Sequence, residues 1–249
     1  MKLRKKRVMT VIHRLTNNIP VIIENLPGAR SVTFGVYVGS GSQNETAAGN
    51  GVAHAIEHML FKGTDKYNAG QLADIMTELG GGINAYTSKE NTVFYGKVLP
   101  EDFERALTVM ADMLFNSVFD SKEFSKEKGV IIDEIDSYDD SAEDMCHELL
   151  QKRVWNDNPL GFIISGSKSN VRKLTRQQLI DFKNANYTAD NILISVAGKC
   201  NEKSIMSVLE PLFSGLPETG DKLIPQSPDF NRCFITRYKD CLLYTSDAA

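Results

Sequence analysis

The chain has 249 residues, of which 42% are hydrophobic and 24% are charged, and its formal net charge is −4. This composition is typical of a globular protein with one large or two modest domains. The slightly acidic charge gives no electrostatic support for nucleic acid as a partner, and no apolar run is long enough to span a membrane.

The chain begins with a short basic stretch, "MKLRKKR". No apolar segment with a small-residue cleavage site follows it, so we predict no signal peptide. Met9 is as good a candidate for the true start as Met1, because the regular hydrophobic pattern begins there. The absence of CxxC spacing among the cysteines predicts reduced thiols in a cytoplasmic protein. The cysteines are Cys146, Cys200, Cys233 and Cys241.

The first part of the chain carries clear strand and helix patterns. Apolar residues alternate with others in "SVTFGVYVG", which predicts a half-buried strand, and the preceding "IPVIIENL" is predicted to be its hairpin partner. "GVAHAIEHMLF" predicts a helix with Asn50 as its N-cap and Gly63 as its stop signal. A second helix is predicted in "NAGQLADIMTELGGG".

The middle of the chain predicts two more strands and two more helices. "INAYTSKENTVFYGKVL" is expected to form strands around a turn at residues 89–91, and "PEDFERALTVMADMLFNS" a helix with proline in its first turn. Asp120 and Glu123 form a capping pattern for the next helix. That helix runs through "EFSKEKGVIIDEIDSYDD", and we expect it to continue further.

The last part of the chain completes the predicted fold. Helices in "RQQLIDFKNANY" and "EKSIMSVLEPLFSGL" flank a buried strand in "NILISVAG", residues 216–230 have the composition of a linker, and "RCFITRYKD" predicts a further strand. Strands and helices come in clusters rather than in strict alternation. We therefore predict an α+β fold, a mostly antiparallel sheet with helices packed on one face.

The final stretch, "CLLYTSDAA", fits no predicted element. It looks like the in-frame translation of a sequencing adaptor. We therefore interpret residues 241–249 as an artefact and Asp240 as the last authentic residue. The alternative is a genuine, frayed terminus.

The segment "GVAHAIEHMLFKGT" contains a candidate metal motif, H-x-x-E-H. His54 and His58 are four residues apart, so on a helix their imidazoles point to the same side and can reach one metal ion. Glu57 projects to that side as well and can reach a metal-bound water without being a ligand. The alternative is two ordinary histidines on an amphipathic helix.

The H-x-x-E-H pattern is the inverted form of a zinc-peptidase motif, and a catalytic zinc needs a third protein ligand. The segment "EKGVIIDEI" offers a carboxylate for that position. Glu127 and Glu134 are seven residues apart, so on a helix they lie about 20° apart in projection, within an apolar stripe. Buried carboxylates are costly unless something compensates them. Zinc would compensate Glu134, and the second N–H of a ligand histidine would compensate Glu127. The alternative is an ordinary exposed acidic face.

The two remaining histidines have no partner at a useful spacing, so we expect both to be structural or exposed. If the helix that carries Glu134 continues without a break, His147 lies about 220° around its axis from Glu134. This places His147 away from the candidate site. His13 lies near the start of the chain and shares no motif with the other three.

These motifs resemble those of the pitrilysin-like metallopeptidases over roughly residues 10 to 240. "GVAHAIEHMLFKGT" resembles the zinc-binding helix of the family, and the spacing from His58 to Glu134 is similar. "NAYTSKENTVFYGKVL" resembles its substrate strand, and "YTADNILISVAGKCN" a later strand and turn. The likeness is greatest to the bacterial, cytoplasmic proteins that resemble the mitochondrial processing peptidase.

The resemblance implies a role for each candidate residue. His54, His58 and Glu134 would hold one Zn²⁺ per chain and leave a position for water. Glu57 would be the general base, and Glu127 would orient a ligand histidine. The strand that carries Asn84 and Ala85 would bind an extended peptide substrate as an added β-strand.

The resemblance also implies a domain division. Residues 10–168 would form the zinc-binding metallopeptidase domain, and residues 169–240 would begin the second, C-terminal-type region. In the family, a second half closes over the first like a clamshell and brings an Arg/Tyr pair to the substrate. No such pair can be assigned here, so the missing half is an expected partner. Homodimers and heterodimers both occur among relatives.

Two functions from different classes compete. The first is a zinc endopeptidase that cleaves extended peptides or unfolded segments. The second is a non-catalytic subunit that uses the same fold for peptide binding or scaffolding. The presence of both histidines and all three candidate glutamates favours the enzyme, although we expect the chain alone to be weakly active or inactive.

Overall fold

A computed structural model describes residues 10–156 and 158–238. The strands β1 to β6 span Thr10–Arg14, Pro20–Asn25, Val32–Val38, Ile83–Thr87, Thr92–Val98 and Ile192–Gly198. The helices α1 to α8 span Val52–Leu60, Ala69–Glu78, Phe103–Asn116, Ser121–Asp140, Ala142–Trp155, Lys168–Lys173, Arg176–Asn186 and Glu202–Phe213.

The six strands form one sheet in the order β1-β2-β6-β3-β5-β4. Only the β2–β6 pair is parallel, and the other four pairs of this sheet are antiparallel. The predicted α+β fold with a mostly antiparallel sheet is therefore confirmed. β4 lies at one edge of the sheet, where its outer backbone groups face away from β5.

The predicted hairpin between β2 and β3 is wrong. β6 lies between these strands, and its Ile194 pairs with Val21 on one side and Val36 on the other. β2 forms its hairpin with β1 instead, across a turn in which Asn18 adopts a left-handed conformation at φ 68°. Every second residue of β6 is buried and the residues between them are half-buried, as expected for a strand with a neighbour on each side.

One face of the sheet carries the core. In β3, Val32, Phe34 and Val36 are buried, whereas Thr33 and Tyr37 on the other face are exposed. The buried side chains pack in one cluster with residues from helices α1, α3, α4, α7 and α8. This arrangement fixes α1 and α4 against the same core, which positions the candidate site.

The predicted continuation of α4 is wrong, because the helix stops at Asp140 and α5 begins at Ala142. Ser141 between them has an extended backbone, with φ −81° and ψ 117°, and its side chain accepts a hydrogen bond from the Asp144 N–H. A serine at this position caps the new helix rather than prolonging the old one. The break changes the direction in which the residues of α5 project.

The chain after α8 has no regular structure as far as residue 238. The strand predicted from "RCFITRYKD" is therefore absent in its described part, residues 232–238. The supposed artefact at residues 241–249, which includes Cys241, lies outside the described residues. The three cysteines among the described residues form no disulfide. No helix among the described residues is long and apolar enough to cross a membrane.

The proposed division at residue 168 stays a prediction. β6, which comes after that boundary, lies inside the sheet built by residues before it.

Candidate metal centre

Helix α1 carries both motif histidines, and its start is fixed by the surrounding loops. The N-cap is Gly51, at φ 101°, rather than the predicted Asn50. A Cβ on Gly51 would lie 2.7 Å from the carbonyl oxygen of Ser165, so only glycine fits there. The Asn50 amide instead donates hydrogen bonds to Glu45 and Ile163. The helix ends at Leu60 with Phe61 as its C-cap, before the predicted stop at Gly63.

Glu45 anchors this helix and was not found by sequence analysis. Its carboxylate accepts hydrogen bonds of 2.8 Å from the backbone N–H of Gly51, the backbone N–H of Ala53 and the Asn50 amide. Burial raises the pKa of Glu45 to about 7, against the opposing effect of these three donors and of Lys89. No sequence motif marks Glu45, because its role depends on how a loop folds back onto the helix.

Three side chains predicted as metal ligands converge. Their ligand atoms lie within 4.8 Å of one another. The His54 and His58 Nε2 atoms are 3.3 Å apart. Glu134 Oε2 lies 3.7 Å from the first of these nitrogens and 3.4 Å from the second. Tetrahedral zinc with bonds of about 2.0–2.2 Å needs ligand atoms about 3.3–3.6 Å apart. The cluster therefore fits a zinc ion.

Glu127 contacts the ring of one histidine. Its Oε1 atom lies 2.9 Å from His58 Nδ1, and an ionised carboxylate only accepts, so this contact favours the tautomer with the proton on Nδ1. The lone pair of His58 Nε2 is then free to face the cluster. The second oxygen of Glu127 contacts Lys62, whose Nζ is 2.7 Å from Oε2. Sequence analysis missed Lys62, which follows the motif helix.

His54 is held neutral by its surroundings. Burial, with a smaller effect of the charge on His58, lowers the pKa of His54 to about 3. Its Nδ1 atom is buried and has no hydrogen-bond partner among the described residues. A neutral imidazole whose Nε2 lies beside a second imidazole and a carboxylate is an arrangement that a cation can complete.

Glu57 lies beside the cluster but is not part of it. One of its oxygens accepts a 2.6 Å hydrogen bond from Thr87 Oγ1, at the end of β4. Burial raises the pKa of Glu57, opposed by the Thr87 hydrogen bond and the charge on His58, while Glu134 adds to the rise. Thr87 was not predicted as a site residue, because a threonine at the end of a strand carries no distinctive signal.

A cavity of about 500 Å³ opens at this cluster. Its wall includes His54, Glu57 and Glu134, together with Ala85 and Thr87 of the edge strand. Asn84, which was predicted with Ala85 as a substrate contact, is exposed outside this wall, and its side chain accepts a hydrogen bond from the Ala85 N–H.

The other wall of the cavity comes from α5 and from the segment after α8. It includes His147, Glu148 and Arg237. The prediction that His147 points away from the site is wrong, since it assumed one continuous helix and the break at Ser141 redirects α5. His147 is exposed, as expected. Burial raises the pKa of Glu148, opposed by the charge on Lys89.

Known proteins with similar sequences are zinc proteases and processing peptidases. The chain is 39% identical over 224 residues to an uncharacterized zinc protease of Bacillus subtilis, YmxG, and covers 54% of it with 90% of its own length. It is 32% identical over 215 residues to the mitochondrial-processing peptidase subunit beta of Saccharomyces cerevisiae, covering 46% of that protein with 86% of its own length. The chain thus spans about half the length of these relatives.

Solved structures share the fold. A protease from Helicobacter pylori superposes with a TM-score of 0.81 at 24% identity, over 88% of this chain and 53% of that one. The first half of the periplasmic protease PqqL from Escherichia coli gives 0.76 at 21% identity, over 92% of this chain and 49% of that one.

Comparison with models of protein families agrees with the similar sequences and with the similar structures. Residues 20–168 match the family described as Insulinase (Peptidase family M16), and residues 173–240 match the Peptidase M16 inactive domain. The first match covers more than half of the chain, which confirms the resemblance drawn from its motifs: the chain belongs to the insulinase family of peptidases, M16.

Proposed function

We propose that this chain is the metal-binding part of a zinc-dependent endopeptidase that cleaves extended peptides or unfolded segments. The observation that carries the proposal is the convergence of two imidazole nitrogens and one carboxylate oxygen at separations of 3.3, 3.4 and 3.7 Å. A second carboxylate, that of Glu57, lies in the same cavity. Zinc peptidases need this combination of three ligands and a separate base.

His54, His58 and Glu134 would hold one zinc ion per chain. When bound, zinc acts as a Lewis acid toward the scissile carbonyl and lowers the pKa of a coordinated water to about 7. Glu127 holds the His58 ring in the tautomer and orientation that the ion needs. These are the roles that the resemblance implied, and the donor chemistry of the three ligand side chains supports them.

Glu57 would act as the general base and then as the general acid. Its carboxylate takes a proton from the attacking water and returns it to the leaving amine. Burial, which raises the pKa of Glu57, brings it nearer to the neutral pH at which a carboxylate can both accept and return a proton. The Thr87 hydroxyl occupies one oxygen and leaves the other for the water.

The edge strand β4 would bind the substrate. Among the described residues no strand pairs with its outer backbone groups, and Ala85 and Thr87 line the cavity, so an extended peptide added to this edge would pass the metal centre. Backbone pairing of this kind selects for extended or unfolded segments rather than folded proteins. Asn84 and Ala85 are the proposed substrate contacts.

In the whole protein we propose that a second half closes over this one, because the matched part of this chain covers only about half of each relative named above. Pairing into a homodimer or heterodimer, and a cytoplasmic location in a bacterium, stay predictions. The alternative, a peptide-binding or scaffolding subunit without catalysis, is less favoured because Glu57 and all three candidate ligands are present.

Glu57→Gln is the test. We expect the chain to bind about one zinc, measured by plasma mass spectrometry after dialysis, and to cleave an unstructured fluorogenic peptide weakly. The whole protein, including the proposed second half, should cleave the same peptide well. There, Glu57→Gln should lower kcat by at least about 100-fold with zinc content unchanged, while Glu90→Gln at an exposed turn should change neither. Zinc-loaded protein that binds peptide but never cleaves it would favour the scaffolding alternative.

A further inference from the structure

We propose that Lys62 is a positioning residue of the metal centre, which fixes the Glu127 carboxylate onto His58 and thereby strengthens zinc binding. The inference rests on the proposed zinc site and goes beyond it, since nothing in the motif H-x-x-E-H includes a lysine. It assigns a role to a charged group just after the end of α1, outside the ligand set.

The contacts form a chain of three residues. Lys62 Nζ lies 2.7 Å from Glu127 Oε2, and Glu127 Oε1 lies 2.9 Å from His58 Nδ1. Each carboxylate oxygen therefore has its own partner. Because both oxygens are held, the plane of the carboxylate is fixed, and so is the direction in which it receives the Nδ1–H of His58.

Burial makes the lysine necessary. The Glu127 side chain is only 6% exposed, and it lies on a helix face that also buries Phe124, Ile131 and Ile135. An ionised carboxylate in such surroundings is costly without a compensating charge. As a zinc ligand, the His58 imidazole would donate a hydrogen bond but carry no charge. Lys62 supplies the charge, and so allows an ionised acceptor to remain behind a metal ligand.

The backbone holds Lys62 in place for this contact. The Lys62 N–H donates to the Met59 carbonyl at the end of α1, which continues the turn of the helix past Phe61. The next residue, Gly63, has φ 131°, so the chain turns away immediately after Lys62. The side chain is 30% exposed, and its amino group therefore remains partly hydrated while it binds Glu127.

A nearby pair shows what an ordinary surface contact looks like. Lys126 and Glu123, also on α4, lie 2.7 Å apart, but their side chains are 71% and 34% exposed. Water screens such a pair, and its loss costs little. The Lys62 contact has the same length and a buried acceptor, so removing it should have consequences that removing Lys126 does not.

The experiment measures zinc affinity of this chain by competition with a chromophoric chelator, and needs no peptidase activity. We expect Lys62→Met to weaken zinc binding by about 10- to 100-fold, the usual effect of losing a group that orients a ligand. Lys62→Arg should recover most of the loss, because it keeps the charge and the donor. Lys126→Met is the matched control and should bind zinc like the unmodified chain.

Cobalt gives a second readout. The d–d absorption of the Co²⁺-substituted chain reports ligand geometry, so it should change with Lys62→Met and return with Lys62→Arg. A purely structural role for Lys62 would leave the absorption of the folded, cobalt-loaded variant unchanged, and that result would overturn the inference.

A double-mutant cycle covers the case in which Lys62→Met is partly unfolded. If Lys62 acts through Glu127, then in a Glu127→Gln background Lys62→Met should weaken zinc binding by less than about threefold. Full additivity of the two losses would contradict the proposal, as would an unchanged zinc affinity in Lys62→Met. Failure of the proposed function looks different: the unmodified chain would bind no stoichiometric zinc, and His58→Ala would change nothing.

Discussion

Helices α4 and α5 both line the candidate active site, and they differ in how deeply their residues are buried. α4 buries Phe124, Glu127, Ile131 and Ile135 against the core. None of the residues of α5, Ala142–Trp155, is fully buried. Both helices line the same cavity, α4 with Glu134 and α5 with His147 and Glu148.

The difference separates two tasks. A metal ligand has to be held within a fraction of an ångström, and Glu134 gains this precision from a helix locked into the core. The wall provided by α5 lies on a helix with no fully buried residue, so its exposed side chains can be replaced with little effect on the fold. We therefore expect substitutions on α4 to act on the metal, and substitutions on α5 to act on the peptide.

The largest effect is expected at Glu134. Glu134→Ala removes one of three protein ligands, and we expect zinc affinity to fall by more than about 100-fold, since losing even an orienting group costs 10- to 100-fold. Chelator competition measures this change. Asp133→Ala is the matched control, because its neighbouring carboxylate is exposed and outside the cluster. Equal affinities in the two variants would remove Glu134 from the ligand set.

Much of the α4 side of this comparison could be predicted from the sequence. Helical spacing alone brings His54 and His58 to one side, and places Glu127 and Glu134 in an apolar stripe. Each of these pairs lies within a single helix, so the helical period alone fixes the relative directions of its two side chains. The structure adds that the two helices meet, with Glu127 touching His58 and Glu134 lying near both histidines.

The parts that could not be predicted depend on contacts between distant segments. Glu45 reaches the start of α1 through a loop, and Thr87 reaches Glu57 from another strand. The central place of β6 depends on pairing across the whole chain. On the α5 side the single residue Ser141 breaks the helix, and an exposed polar stretch carries too little hydrophobic pattern to reveal that break.

The next effect concerns His54 in the metal-free chain. Its pKa is about 3 when folded and 6.5 ordinarily, so the unfolded chain binds a proton between these values that the folded chain does not. Stability is therefore lost as the pH falls through this window. Between pH 7 and pH 5 we expect the free energy of unfolding to fall by about 2 kcal/mol on this account.

His54→Asn should remove that share of the pH dependence, measured by urea unfolding in the presence of a chelator. His147→Asn, on the exposed helix α5, should retain it. The two variants compare a histidine on the core side of the cavity with one on the open side. If both variants leave the pH dependence of the free energy of unfolding unchanged, the buried environment inferred for His54 is wrong.

A smaller effect is expected at Thr87. Thr87→Val keeps the shape of the side chain but removes the hydrogen bond to Glu57, which lets the carboxylate rotate. In the whole protein, we expect kcat to fall about tenfold, a part of the 10²–10⁴ that a general base contributes. Zinc content and KM should stay the same, and Thr87→Ser should restore the rate. A change in zinc content would instead indicate damage to the metal centre.

The smallest effect is expected on α5 itself. His147→Ala should leave zinc affinity unchanged, because His147 lines the cavity without belonging to the ligand cluster. Peptide cleavage by the complete protein should change by a few-fold at most, and in KM rather than kcat, since an exposed wall contacts the substrate and not the reacting atoms. A loss of zinc in this variant would mean that α5 supports the metal after all, and that the division of tasks between the two helices does not hold.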